Sequence, residues 1–345
     1  MKKIVLVLGI AALLFAACGS SPSSSKASKE PDLTGVTSYY VRADGNDSNA
    51  GTLEDRPFKT LAKAVQTASK TKVKTITVIG KLAGETEINN SGTDEILITG
   101  KADTSDSEKA VLTTSTEEEN TIVITGNSNI KLEYITLNTI TYLPIIYTEG
   151  DKVKLTLGKN VVVYGNGKDA KEWASSGGGI LITKGGTLIM MDNSTVTNCM
   201  AEAGGGVLIL GSKMFIQDNA VISNNYADIA GGGIFVNHST LEMKNNAIIK
   251  GNTAFGDNTD YTGGGIFCIS GTIKLHDNSS VTGNTAPFGG GIYMRVSDIQ
   301  TADGLELKGS GVYESRQVSG NTATTKKTPS FLQGKMPNNI CVMNY

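Results

Sequence analysis

A glycine triplet followed by a branched aliphatic residue returns five times between Gly177 and Ile292. The copies are Gly177-Gly178-Gly179-Ile180, Gly204-Gly205-Gly206-Val207, Gly231-Gly232-Gly233-Ile234, Gly263-Gly264-Gly265-Ile266 and Gly289-Gly290-Gly291-Ile292. Steps of 27, 27, 32 and 26 residues separate them. A near-constant period in this range marks a solenoid, whose units bury their apolar faces only against their neighbours.

Three other columns keep the same phase. The first is an alternating apolar pair: Leu188 and Met190, Met214 and Ile216, Leu241 and Met243, Ile273 and Leu275. Period-two alternation is the pattern of a strand with one buried face. The second is a polar pair, Asp192-Asn193, Asp218-Asn219, Asn245-Asn246 and Asp277-Asn278. Asp and Asn bond their own backbone and tolerate the left-handed region, so this pair is a turn. The third is an aliphatic residue, two spacers and Asn, ending at Asn225, Asn252, Asn284 and Asn321. An Ala follows two residues later each time, and the copy at Val196 has Cys199 in the Asn place.

Each unit therefore holds three short strands: after the triplet, at the apolar pair, and ending at the Asn. Three strands in about 27 residues make one coil of a right-handed parallel β-helix, whereas a propeller blade needs about 40. Equivalent residues then stack about 4.8 Å apart. The four Asn side chains are expected to bond along such a column or to satisfy buried turn backbone.

A solenoid grows in one dimension, so 345 residues need not mean several domains. A net charge of −2 supplies no basic field for nucleic acid. Lys2 and Lys3 open the chain, and Ile4 to Ala17 is apolar apart from Gly9, which reads as a signal peptide over residues 1–17. It ends in Phe15-Ala16-Ala17-Cys18, which resembles the bacterial lipoprotein box. That resemblance implies a diacylated Cys18 and a membrane-anchored protein, at the outer membrane or cell surface. The Ser-rich segment to residue 35 is a tether of low apolar content. The remaining Cys199, Cys268 and Cys341 are odd in number and fit small buried column residues better than a disulfide framework.

Residues 36–72 hold a strand, Tyr39-Tyr40-Val41, a turn cluster and a short helix begun by Pro57, with Phe58, Leu61, Val65 and Ala68 on one face. This stretch resembles the opening of secreted right-handed β-helix proteins, some polysaccharide lyases among them, in which the helix caps the first coil. In the turn cluster, Asp44, Asn46, Ser48, Thr52 and Asp55 fall at positions 1, 3, 5, 9 and 12 of a calcium-loop frame. Asn49 stands where that frame requires Gly and no Glu closes it, so an Asx-rich turn competes with calcium binding. No other cofactor is implied.

Residues 73–345 form the solenoid, with regular repeats over 177–323 and shorter, less regular strands before them. At about 27 residues per coil the run makes roughly nine coils, a rod of about 45 Å that ends in a strand at Ile340–Met343. The triplet and the aliphatic-x-x-Asn motif together resemble the repeats of polymorphic outer-membrane proteins, with Gly for the family's Ala and Ile or Val for its Phe. The resemblance implies a surface β-helix engaged in adhesion.

Catalysis has fewer candidates. His276 is placed as an outward strand residue, and the column Asp192, Asp218, Asn245, Asp277 stacks carboxylates that could titrate together or hold a cation. Asp is also ordinary at such turns. Binding is better sought where repeats differ. The loops between the recurring Ala and the next triplet vary from 2 to 8 residues and hold Trp173, Phe255, Asp257, Asp260, Tyr261 and Phe288. Unequal insertions gather on one edge of a solenoid, and exposed aromatic rings there stack on sugars or anchor proteins. The chain reads as a lipid-anchored, non-enzymatic binding scaffold for a host or matrix protein or a glycan. A polysaccharide lyase or glycosidase and a passive surface antigen are the alternatives.

Overall fold

The structure is a computed structural model that describes residues 33–90, 92, 94–165, 167, 174, 176–256, 262–295, 298–301, 311–313, 315, 317–324 and 339–343. Val36–Tyr345 forms one compact unit and Met1–Gly35 another. The first is a parallel β-helix solenoid. The signal segment and Cys18 lie outside the described residues.

Strands stack in rows along the solenoid. The triplet row begins at Thr86–Asn90 and runs through Ile180–Thr183 and Val207–Leu210 to Ile340–Met343. Its register pairs Ile180 with Val207, Val207 with Ile234, Ile234 with Ile266, and Ile266 with Ile292. These are the positions that follow each glycine triplet. The pair row carries the alternating apolar residues, with Leu188 on Met214, Met214 on Leu241 and Leu241 on Ile273. In Ile234–Met243 and Ile266–Leu275 the two rows are one continuous strand, and both rows belong to one 18-stranded sheet. The corner is turned by left-handed His238 and Ser270, at φ 48° and 54°. The Asn row is a nine-stranded sheet, from Lys81–Ala83 to Val318–Ser319. Its nine rungs agree with the coil count expected from the period.

A fourth row extends the three-strand unit read from the sequence. It comprises Met200–Ala203, Tyr226–Ala230, Thr253–Ala254, Thr285–Ala286 and Thr322–Ala323. Three of its five strands are two residues long and give no visible period, so only the recurring Ala betrayed the row. Those alanines (Ala227, Ala254, Ala286) form a buried stack.

Alternation puts Ile180, Ile182, Leu188, Met190, Val196, Ile222 and their equivalents inside, all fully buried. Each such side chain contributes about 1.5–3 kcal/mol of transfer free energy. Because every rung repeats the same inward set, the core is continuous along the stack.

A helix covers the first coil. The helix Leu61–Ser69 buries Leu61, Ala64, Val65 and Ala68 against the first strands. It starts at Thr60, whose hydroxyl accepts the Lys63 N–H at 3.3 Å, and not at Pro57 as the sequence suggested. Pro57 instead offers its carbonyl to the Asn46 N–H and Asn49 Nδ2, at 3.1 and 2.9 Å. Phe58 is not on the helix; it pairs in a parallel bridge with Val41 and packs on Tyr39 at 5.8 Å between ring centroids. At the other end Ile340–Met343 is the last rung of the triplet row, and Gly311–Tyr313 lies antiparallel beside it. That reversed strand occupies an edge that would otherwise template further pairing.

Candidate ligand-binding edge

The regular half of the solenoid is held in phase by its asparagines. Asn225, Asn252 and Asn284 are fully buried. Asn225 Nδ2 donates to Asn252 Oδ1 at 2.9 Å, Asn252 Nδ2 to Asn284 Oδ1 at 2.9 Å, and Asn284 Nδ2 to Asn321 Oδ1 at 3.0 Å. Each Oδ1 also accepts the backbone N–H of the preceding Asn, and each Nδ2 also reaches a backbone carbonyl, such as Val196 O at 3.1 Å from Asn225. The ladder begins at Cys199, whose N–H donates to Asn225 Oδ1 at 3.0 Å, and ends at Asn339, whose Oδ1 accepts from Asn321 at 3.4 Å. The sequence did not show Asn339 in this role, because it lies in the segment that replaces a triplet. Burial pushes the Cys199 and Cys341 thiols up to about 12, and Cys268 is buried as well, so all three are the small column residues expected.

The triplets fit this ladder. Their first glycines have φ between 48° and 69°. A Cβ on the third glycine, Gly233, would sit 2.6 Å from Gly265 O and 3.0 Å from Asn252 Nδ2. Glycine there lets the Asn column press against the backbone, which is why the two motifs keep one phase.

The Asp-Asn column forms a different edge. Asp192, Asp218, Asn245 and Asp277 all adopt left-handed φ, from 51° to 56°. Asn245 stands between two carboxylates: its Nδ2 donates to Asp218 Oδ1 at 2.8 Å, and its N–H to Asp277 Oδ2 at 2.9 Å. The carboxylates thus serve as turn acceptors. His276 is part-exposed, 3.6 Å from Glu242, whose carboxylate Lys244 holds below its usual range.

The N-terminal turn is likewise internally bonded. Asp44 meets Arg42 at 2.5 Å, which holds its carboxyl below the usual range. Asn46 Oδ1 accepts the Ser48 N–H at 2.9 Å, an Asx turn. Asp47, which no calcium frame uses, accepts from the Lys59 and Thr60 N–H groups at 2.9 Å each and from the Thr60 hydroxyl at 2.8 Å. It ties the turn to the start of the helix. Leu53 and Arg56 close a separate bridge around Asp55. Among the described residues no group of three or more His, Cys, Asp or Glu is placed to hold a metal ion.

Exposed apolar side chains collect elsewhere. Among the described residues Ile140, Tyr142, Tyr164, Ile229 and Phe255 are large, apolar and exposed, and only Leu53 shares that state away from them. Ile140, Tyr142, Ile229 and Phe255 lie on the chain between an Asn-row strand and the following triplet-row strand, and Tyr164 ends the Asn-row strand Val162–Tyr164. This is the edge where the loops differ in length. Phe255 is 46% exposed and packs on Tyr226, with centroids 6.3 Å apart and planes 8° from parallel. Phe288, also expected as an open binding residue, is only 8% exposed. It joins Phe267, Tyr293, Cys341 and Ala230 in a cluster outside the sheet. Trp173, Asp257, Asp260 and Tyr261 lie outside the described residues.

That cluster was missed in the sequence. The outward position after each triplet aliphatic is also apolar: Leu181, Leu208, Phe235, Phe267 and Tyr293 stack in register. Phe267 lies 5.0 Å from Phe235 and 5.6 Å from Tyr293, centroid to centroid. The signal was present as a second apolar residue directly after each triplet aliphatic, but strand alternation assigns that place to solvent.

Fold and edge together define a parallel β-helix with an apolar, variable flank. No family model matches the chain, and no curated protein or solved structure does.

Proposed function

We propose that the protein is a non-enzymatic binding scaffold, held to a bacterial membrane by lipid on Cys18, that engages a glycan or protein ligand along its loop edge. The observation that carries this reading is Phe255, a ring left 46% exposed yet aligned with Tyr226 within 8°. A large ring fixed in water by a neighbour is the usual anatomy of a binding anchor, because little entropy remains to be lost on contact. Ile229, 54% exposed, sits on the strand of Tyr226 and widens the apolar patch. The carboxylates of Asp218 and Asp277 are engaged by Asn245, which favours a structural role for that column over hydrolysis. The box Phe15-Ala16-Ala17-Cys18 and the likeness of the repeats to polymorphic outer-membrane proteins support the anchor and the surface setting.

The test is binding of the full chain in detergent to immobilised matrix proteins and glycans, beside a variant carrying Trp173→Ala, Phe255→Ala and Tyr261→Ala. Loss of binding with an unchanged melting temperature is expected. Equal binding by the variant rejects the edge, and depolymerisation of any polysaccharide, with or without calcium, replaces the binding reading with an enzymatic one. A Cys18→Ser variant that still partitions into membranes rejects the lipid anchor.

A further inference from the structure

The outward side chains of the fourth row change character along the stack. Its register runs from Met200, which is buried, through Tyr226, Thr253, Thr285 and Thr322 on the outer face, beside the buried alanines. Two residues on, the outer positions are exposed Glu202, Asp228 and Phe255. An aromatic pair is thus followed by a column of hydroxyls and flanked by carboxylates. Thr253 and Thr285 are part-exposed and Thr322 is exposed. The five strand segments contain no Lys or Arg.

The backbone of this face is already used. Tyr226 N–H donates to Cys199 O, Thr253 N–H to Asn225 O, Phe255 N–H to Ala227 O and Thr285 N–H to Asn252 O, at 2.8–2.9 Å. An extended peptide therefore finds no free strand edge along it, and β-augmentation is closed. Recognition has to run through side chains.

We infer that the outer face of the fourth row binds an extended neutral glycan lying parallel to the stacking axis. Tyr226 and Phe255 stack on sugar faces, and Thr253, Thr285, Asp228 and Glu202 meet its hydroxyls. This rests on the binding-scaffold reading and narrows its ligand. Rings offer apolar faces to the C–H side of a pyranose, while hydroxyls and carboxylates accept and donate around its rim. The direction follows from the shape of the row. It is two to five residues wide but five rungs long, about 19 Å at 4.8 Å per rung, so a chain laid across it would overhang. Neutrality follows from charge: exposed Glu202 and Asp228 without a nearby cation in the row repel uronate or sulfate groups.

The experiment uses the full chain in detergent with four probes measured by calorimetry: cellopentaose, chitopentaose, pentagalacturonic acid and immobilised fibronectin. A neutral pentasaccharide is expected to bind, its disaccharide more weakly. Phe255→Ala should lower affinity about tenfold, the scale of a hot-spot ring, and Thr253→Val with Thr285→Val should lower it further. Asn246→Ala, on the turn edge, should leave it unchanged. Preference for pentagalacturonic acid overturns the inference, as does insensitivity to Phe255→Ala. Binding of fibronectin alone, lost in Phe255→Ala, overturns the glycan while leaving the binding scaffold standing. Binding of none of the four overturns both.

Discussion

Asn225 and Asn252 are 27 residues apart in the chain and joined through two hydrogen bonds to a single oxygen. Asn252 Oδ1 accepts both the Asn225 Nδ2–H, at 2.9 Å, and the Asn225 backbone N–H, at 3.0 Å. The same unit recurs at Asn284 and Asn321. A buried amide that satisfies a backbone donor and its own neighbour at once gives each coil a specific register on the next.

Asn252→Ala removes those bonds from both neighbours and leaves the Asn225 N–H buried without an acceptor. A loss of about 2–3 kcal/mol is expected. Urea unfolding followed by circular dichroism reads it as a lower midpoint. Asn246→Ala, in an exposed turn, should shift the midpoint little.

Gly233→Ala tests why the triplets accompany the ladder. A Cβ there is 2.6 Å from the Gly265 carbonyl oxygen, which belongs to backbone and has little room to retreat. Destabilisation of about 1–3 kcal/mol is expected, the range of overpacked cores. The melting temperature of the purified variant decides it. Wild-type stability would show that the coils separate to admit a methyl.

Asp47 makes the N-terminal cap pH-dependent. Burial raises its pKa, but hydrogen bonds from Thr60 and Lys59 outweigh this and hold it below the ordinary range. A depressed carboxylate stabilises above its unfolded pKa of about 3.9 and loses that contribution as pH falls through the folded value. Asp47→Asn should therefore cost about 1 kcal/mol at pH 7 and nearly nothing well below pH 4. Parallel melts of the two proteins from pH 7 to pH 3 should converge.

The three solenoid cysteines should be inert in the folded protein. Cys199 and Cys341 are buried, with thiols pushed up to about 12, and Cys268 is buried beside the core. The thiolate is the reactive form, so alkylation followed by peptide mass mapping should find all three unmodified until denaturant is added.

Phe288 and Phe255 should separate stability from binding. Phe288 packs with Phe267 and Tyr293 at 8% exposure, so Phe288→Ala is expected to cost about 3 kcal/mol. Phe255→Ala should stay within about 0.5 kcal/mol of wild type and change ligand binding instead. The reverse pattern in melts would exchange their roles.

Much of the architecture was legible because a solenoid repeats its instructions. The period, the inward residues Ile180, Leu188 and Val196, the Asn column and the coil count all follow from spacing. The flank carrying unequal loops was legible for the same reason. Phe255 and Phe288 were not separable, since both are aromatic residues one or two places after a recurring Ala. Only the neighbouring rungs decide that Phe288 folds under and Phe255 stays out.

By itself, then, the sequence determined whatever depends on local period and turn chemistry: the parallel stack, its phase, its left-handed Asp and Asn corners, and the small residues its ladder requires. Tertiary structure decided what depends on contacts between distant segments. Asp47 grips Thr60, Asn339 ends a ladder begun at Cys199, the outward Phe235, Phe267 and Tyr293 build a second apolar layer, and a reversed strand at Gly311–Tyr313 covers the last rung. The physical reason is that period fixes which face a residue presents, whereas burial of that face depends on what another coil or loop lays over it.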